Sequence, residues 1–64
     1  MKLTPTEEAE AQQLAILITA KIGPSVARRK LAVDSGTLYR WRRGLISPSR
    51  MRLAKLREVA CRLK

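Results

Sequence analysis

Three prolines cut the chain into helix-length pieces. Each follows a residue that caps or ends a helix: Thr4-Pro5, Gly23-Pro24 and Ser47-Pro48. Proline suits the first helical position, because its missing N–H has no intrahelical partner there. Helices are therefore predicted to begin at Pro5, at Pro24 or Ser25, and at Pro48. Thr4 is the expected N-cap of the first, with Glu7 closing a capping box and Glu8 and Glu10 favoured by the helix dipole. Leu14, Leu17, Ile18 and Ile22 recur at helical spacing and predict one apolar face, and Ile16, off that stripe, predicts a second buried contact. Gly23 ends this helix. The second runs to about Leu31 with Val26, Ala27 and Leu31 as its apolar positions, too short to be stable without packing. After the break Ala32-Val33-Asp34, Asp34 is a good N-cap for a third helix over about 35–43, which Gly44 stops. Leu38 and Trp41 share a face of it. Leu45 and Ile46 are expected to turn back onto the core.

The last helix is predicted from about Pro48 to Leu63. Leu53, Leu56, Ala60 and Leu63 alternate at three and four, as a coiled-coil seam does, and Met51 and Val59 widen the stripe. Arg50, Arg52, Lys55, Arg57 and Arg62 take the other faces. The seam fits equally a contact with the chain's own first helix and an oligomer contact. With no alternating strand pattern, repeat or low-complexity tract, the expected fold class is all-α: one small four-helix domain over 1–64, with a central helix-turn-helix and a C-terminal helix able to dimerise.

Sixty-four residues bury only about 60% of their unfolded surface, so a homo-oligomer that shares a core is an expected partner state. The single Cys61 cannot form an internal disulfide, and no Cys/His spacing suits zinc. Cys61 reads as an apolar filler in a reducing, cytoplasmic setting. Without histidine there is no imidazole acid/base chemistry, and the three glycines make no phosphate-binding loop. No catalytic residue, cofactor or metal is expected. The longest apolar run, Leu14 to Ala20, is too short for a membrane span and follows glutamates rather than lysines, so neither a membrane nor a signal segment is expected.

Charge points to the partner. Residues 1–20 hold one lysine against three glutamates, net −2, whereas residues 21–64 hold thirteen basic residues against two acidic ones, net +11. A formal charge of +9 and a pI near 11.2 suit a polyanion.

Two short helices joined by a tight turn, the second rich in arginine, make a helix-turn-helix over about 24–43. Such a second helix hides one face and lays the other in the major groove. Ala27, Leu31, Val33, Leu38 and Trp41 are the expected core of the motif. Ser35, Gly36, Thr37, Tyr39, Arg40 and Arg43 are available to the groove. The neighbouring Arg28, Arg29 and Lys30 favour DNA backbone contact.

Residues 34–43, DSGTLYRWRR, resemble the recognition helix of the lambda CII-like phage transcription activators. The resemblance runs without gaps over about 24–59. It is carried by Val33-Asp34, Arg40-Trp41, Arg43, Ile46, Met51, Leu53-Ala54 and Leu56, with Lys21-Ile22 matching across a short gap. More broadly the segment is similar to the Cro/cI-type helix-turn-helix regulators. The resemblance implies a sequence-specific double-stranded DNA-binding transcription regulator, working as a dimer or higher oligomer on spaced half-sites. RNA polymerase would be a further partner, with the Glu7, Glu8 and Glu10 edge one candidate surface for it. Arg40, Arg43, Ser35, Gly36, Thr37 and Tyr39 would then face base edges and nearby phosphates, and Arg28, Arg29 and Arg42 phosphates. For Arg40, guanine and phosphate contact weigh equally. The chain departs from the family in three places. Ala32 stands where glycine is common. Arg28 stands where a small residue is preferred, so that either its stem runs outward or the helix rotates to bring Ala27 there. The family's further C-terminal helix has no counterpart in these residues. A DNA-packaging or recombination accessory protein uses the same motif and is the alternative reading.

Overall fold

The computed structural model describes residues 2–63. Four helices account for the regular structure among them: α1 (Pro5–Ile22), α2 (Pro24–Leu31), α3 (Ser35–Arg43) and α4 (Arg50–Arg62), with no strand. None is long and apolar enough to cross a membrane.

Local chemistry sets most of the boundaries. Thr4 and Glu7 form the expected reciprocal capping box: the Glu7 amide donates to Thr4 Oγ1 at 3.1 Å and the Thr4 amide donates to Glu7 Oε1 at 2.9 Å. At α3 the Thr37 amide donates to Asp34 Oδ1 at 3.0 Å. Both α2 and α3 end in a Schellman motif, where a left-handed residue lets its own amide and the next one close on the last turn. Gly44 provides it for α3 (φ 71°), with Leu45 N–H on Arg40 O and Gly44 N–H on Trp41 O. Ala32 provides it for α2 (φ 57°, ψ 44°), with Val33 N–H on Arg28 O and Ala32 N–H on Arg29 O. Ala32 is the one non-glycine residue with positive φ among the described residues. Its Cβ makes that conformation unfavourable by about 1 kcal/mol or more. Ala32→Gly is therefore expected to raise stability by about 1 kcal/mol, read as a higher urea midpoint at unchanged m-value.

The start of α4 differs from expectation. Ser49, not Ser47, is the cap, accepting from the Arg52 amide at 3.2 Å, and the helix begins at Arg50. Pro48 is buried in the connection, and the Ser47 hydroxyl donates to Glu8 instead. With its hydroxyl bound to α1, Ser47 cannot cap a helix of its own.

α1 is the hub. It packs on α2, α3 and α4; α2 likewise meets all three others, whereas the backbones of α3 and α4 do not approach within 8 Å. The core holds Leu3, Ala11, Ala15, Ile18, Ala27, Leu31, Leu38, Trp41, Leu53, Leu56, Val59 and Ala60, with Leu14, Ile22, Val33 and Leu63 packed at its edge. At 3.6 residues per turn, Ala11, Ala15, Ile18 and Ile22 lie within an arc of about 60°, and Leu17 lies about 120° from its centre. Leu17 and Ile16 are accordingly exposed, contrary to the face read from the leucines. Alanine lets α1 approach three helices at once, and a longer side chain at Ala15 would hold them apart. Val26, Leu45, Ile46 and Met51 are also exposed rather than folded into the core. Met51, at 84%, sits on the outer side of α4's first turn.

The α4 seam is inside the monomer. Leu53 and Leu56 are 2% and 0% exposed, Ala60 is buried and Leu63 is half-buried. Of the two contacts the sequence left open, Leu53, Leu56 and Ala60 make the intrachain one, against the chain's own α1 and α2, which leaves them too buried for an oligomer contact, while Leu63 stays half-exposed at the edge.

Candidate nucleic-acid interface

At 24–43 two short helices, α2 and α3, are joined by a three-residue turn. Ala27, Leu31, Leu38 and Trp41 are buried, and Val33 is packed at the core edge. Ala27 is the small residue facing inward and Arg28 is exposed, which decides between the two rotations of α2. On α3, Gly36, Arg40 and Arg43 fall within an arc of about 60° opposite Leu38 and Trp41. Ser35, Tyr39, Arg40 and Arg43 are exposed, and Gly36 and Thr37 half-buried. Arg28, Arg29 and Lys30 are exposed on α2 beside them.

Two contacts shape the arginines of α3. A Cβ added at Gly36 would lie 3.8 Å from Asp34 Oδ2 and 3.9 Å from Arg40 Nη1, both ordinary contacts. The Arg40 guanidinium thus leans back across Gly36 toward Asp34. Tyr39, 48% exposed, is flanked by Arg43 and Arg42, whose guanidinium carbons lie 5.9 and 6.0 Å from its ring centroid. Exposed cation–π contacts of this kind are worth about 0.5–1 kcal/mol. Arg42 is half-buried, and its Nε is buried without a hydrogen-bond partner.

The ion pairs sort the charge. Glu7 pairs with Arg50 at 3.0 Å, Glu10 with Arg57 at 2.7 Å, and Glu58 with Arg62 at 3.2 Å and Lys55 at 4.0 Å. Glu8 accepts from Ser47, and Asp34 caps α3. All five carboxylates of the chain are engaged in this way. Among the described residues, none of Arg28, Arg29, Lys30, Arg40, Arg42 and Arg43 has a carboxylate within 4.0 Å. The acidic edge of α1 is tied to α4 and to the loop before it.

These contacts depress carboxyl pKa values. The Thr4 amide, helped by Arg50, lowers Glu7; hydrogen bonds from Arg57 lower Glu10; and the Thr37 hydroxyl and amide lower Asp34. A lowered folded value stabilises the fold above the ordinary value, 4.5 for glutamate and 3.8 for aspartate, and that gain is lost as pH falls through the folded value. The melting temperature is expected to be level near neutrality and to fall on acidification below about pH 4.5, by circular dichroism. A midpoint unmoved down to about pH 2 would mean these contacts add nothing.

Two polar residues that the sequence did not single out hold the end of α3 and the turn before it. Gln12 of α1 donates from Nε2 to Arg42 O at 3.1 Å and so secures the C-terminal end of α3. Arg52 of α4 donates from Nη1 to Leu31 O at 3.3 Å and Ala32 O at 3.5 Å, at the turn between α2 and α3. Among the described residues no three His, Cys, Asp or Glu side chains converge as metal ligands would. Comparison with known proteins identifies no matching family, curated protein or solved structure.

Proposed function

We propose that the chain is a double-stranded DNA-binding domain of the helix-turn-helix kind, with no catalytic role, that lays α3 in the major groove. The observation that supports it most is the charge sorting. Six cations on α2 and α3 are left without carboxylate partners, around a helix whose outer face carries Ser35, Gly36, Tyr39, Arg40 and Arg43. Most protein–DNA bonds go to phosphates and set register, while a few side chains read base edges. Arg28, Arg29, Lys30 and Arg42 suit the first role. Arg40 and Arg43, three residues apart on the outer arc, suit the second through guanine O6 and N7.

The setting this supports is transcription regulation of a phage or mobile-element type, in the cytoplasm, by occupancy of a site. One copy reads one half-site. Two copies would place their recognition helices about 34 Å apart and would join through surfaces other than the α4 seam.

Selection of bound sequences from a random duplex pool tests the reading. A short, defined half-site is expected, and Arg40→Ala is expected to lose about 1–3 kcal/mol on it while relaxing preference at one base pair. Equal loss on random DNA would make Arg40 a phosphate contact. A diffuse A/T preference would favour the packaging or architectural alternative, and no retention of DNA would refute the proposal.

A further inference from the structure

Arg50 and Arg52 stand in the first turn of α4, where the positive end of the helix dipole favours acidic side chains, and that turn contains none. Arg50 is explained by Glu7. Arg52 has no carboxylate partner among the described residues. It lies on the same side of α4 as Leu56 and Val59, which are buried, and it reaches the last carbonyls of α2. Those carbonyls have no intrahelical donor and form the negative end of α2's dipole, so a guanidinium there is favoured for both reasons. A cation unfavourable to its own helix is thereby placed to suit another.

The place it grips is the hinge of the motif. The backbones of α3 and α4 do not approach within 8 Å, so the closest links from α4 to α3 run through α1, α2 and the turn. The turn contains the strained Ala32, whose amide and that of Val33 close the end of α2. We propose that Arg52 is a positioning residue for DNA reading: it clamps the α2–α3 turn to α4 and thereby sets the angle at which α3 enters the groove. This rests on the DNA-binding reading above. Arg52 itself touches no base in this scheme. Gln12 holds the far end of α3 through Arg42 O, so side chains from outside the motif grip both the turn before α3 and its C-terminal end.

The test uses Arg52→Met, which keeps the aliphatic stem and removes the donors, and Arg52→Lys, which restores a cationic donor. In the free protein, amide hydrogen exchange at Ala32 and Val33 is expected to quicken about tenfold in Arg52→Met relative to Ala15 and Ile18 in the core. Arg52→Lys is expected to restore most of the protection. On DNA, the ratio of affinity for the selected site to that for random duplex is expected to fall about tenfold in Arg52→Met, with the salt slope unchanged. Exchange at Ala32 and Val33 that does not change overturns the clamp. Equal loss on both DNAs, with a salt slope shallower by about one, makes Arg52 a phosphate contact and overturns the positioning role. A wild-type chain that ignores DNA refutes the functional reading instead, and the exchange measurement still decides the clamp.

Discussion

DNA affinity is expected to fall about a thousandfold as monovalent salt rises from about 50 to about 200 mM. The estimate follows from the six cations of α2 and α3. Each phosphate neutralised releases condensed counterions and contributes about −0.9 to the slope of log affinity against log salt, so six contacts give a slope near −5. The ion pairs sharpen the test. Arg50 and Arg57 already lie against Glu7 and Glu10. Replacing both with glutamine is expected to change the slope little. Replacing Arg28 and Arg29 with alanine is expected to make it shallower by about two units. Fluorescence anisotropy of a labelled duplex measures all three proteins under one titration. A flat wild-type response, or an equal effect from both double variants, would contradict a binding face located on α2 and α3.

Leu56→Asp is expected to abolish cooperative folding. The Leu56 side chain is fully buried in the monomer. A chain of this size has a stability of roughly 3–10 kcal/mol, at about 0.05–0.15 kcal/mol per residue. An unpaired carboxylate in that position costs several kcal/mol, on top of the lost packing. Circular dichroism should show no sigmoidal melt at neutral pH. Met51→Asp on the same helix should melt within about 0.5 kcal/mol of the wild type, since Met51 is 84% exposed. A cooperative melt for Leu56→Asp, with only its sedimentation altered, would return the seam to an interface between copies.

The helix boundaries were legible where a single residue determines the local backbone. Thr4, Pro5, Gly23, Asp34 and Gly44 each act within one turn, and α1 and α3 begin and end, and α2 begins, where those residues place them. Hydropathy was a poorer guide to the core. It ranks Leu17, Ile16 and Met51 above Ala11, Ala15 and Ala27, yet close helix packing selects the alanines and leaves the larger side chains outside. No window of one helix reveals that α1 must meet three others. Ser47-Pro48 misled because two serines flank the proline, and a contact 39 residues away, with Glu8, engages the first of them. The outer face of α3 was readable from Leu38 and Trp41 alone, since fixing the inner face fixes the outer one. Gln12 and Arg52 were not, because each acts on a carbonyl 20 or more residues distant. Arg52 did leave one local sign, a cation in the first turn of α4 with no acid beside it.

The pairing of α1 glutamates with α4 arginines also bears on how fast the chain finds its target. Partly offsetting the cations of α4 with the glutamates of α1 and leaving those of α2 and α3 bare gives the molecule a lopsided field, so a polyanion exerts a torque on it as well as a pull. The domain would arrive already turned toward the duplex, and fewer encounters would be wasted on the wrong side. Charge placement of this kind acts on association rates more than on final affinity. Reversing Glu7 and Glu10 to lysine would raise the total charge while blunting that orientation.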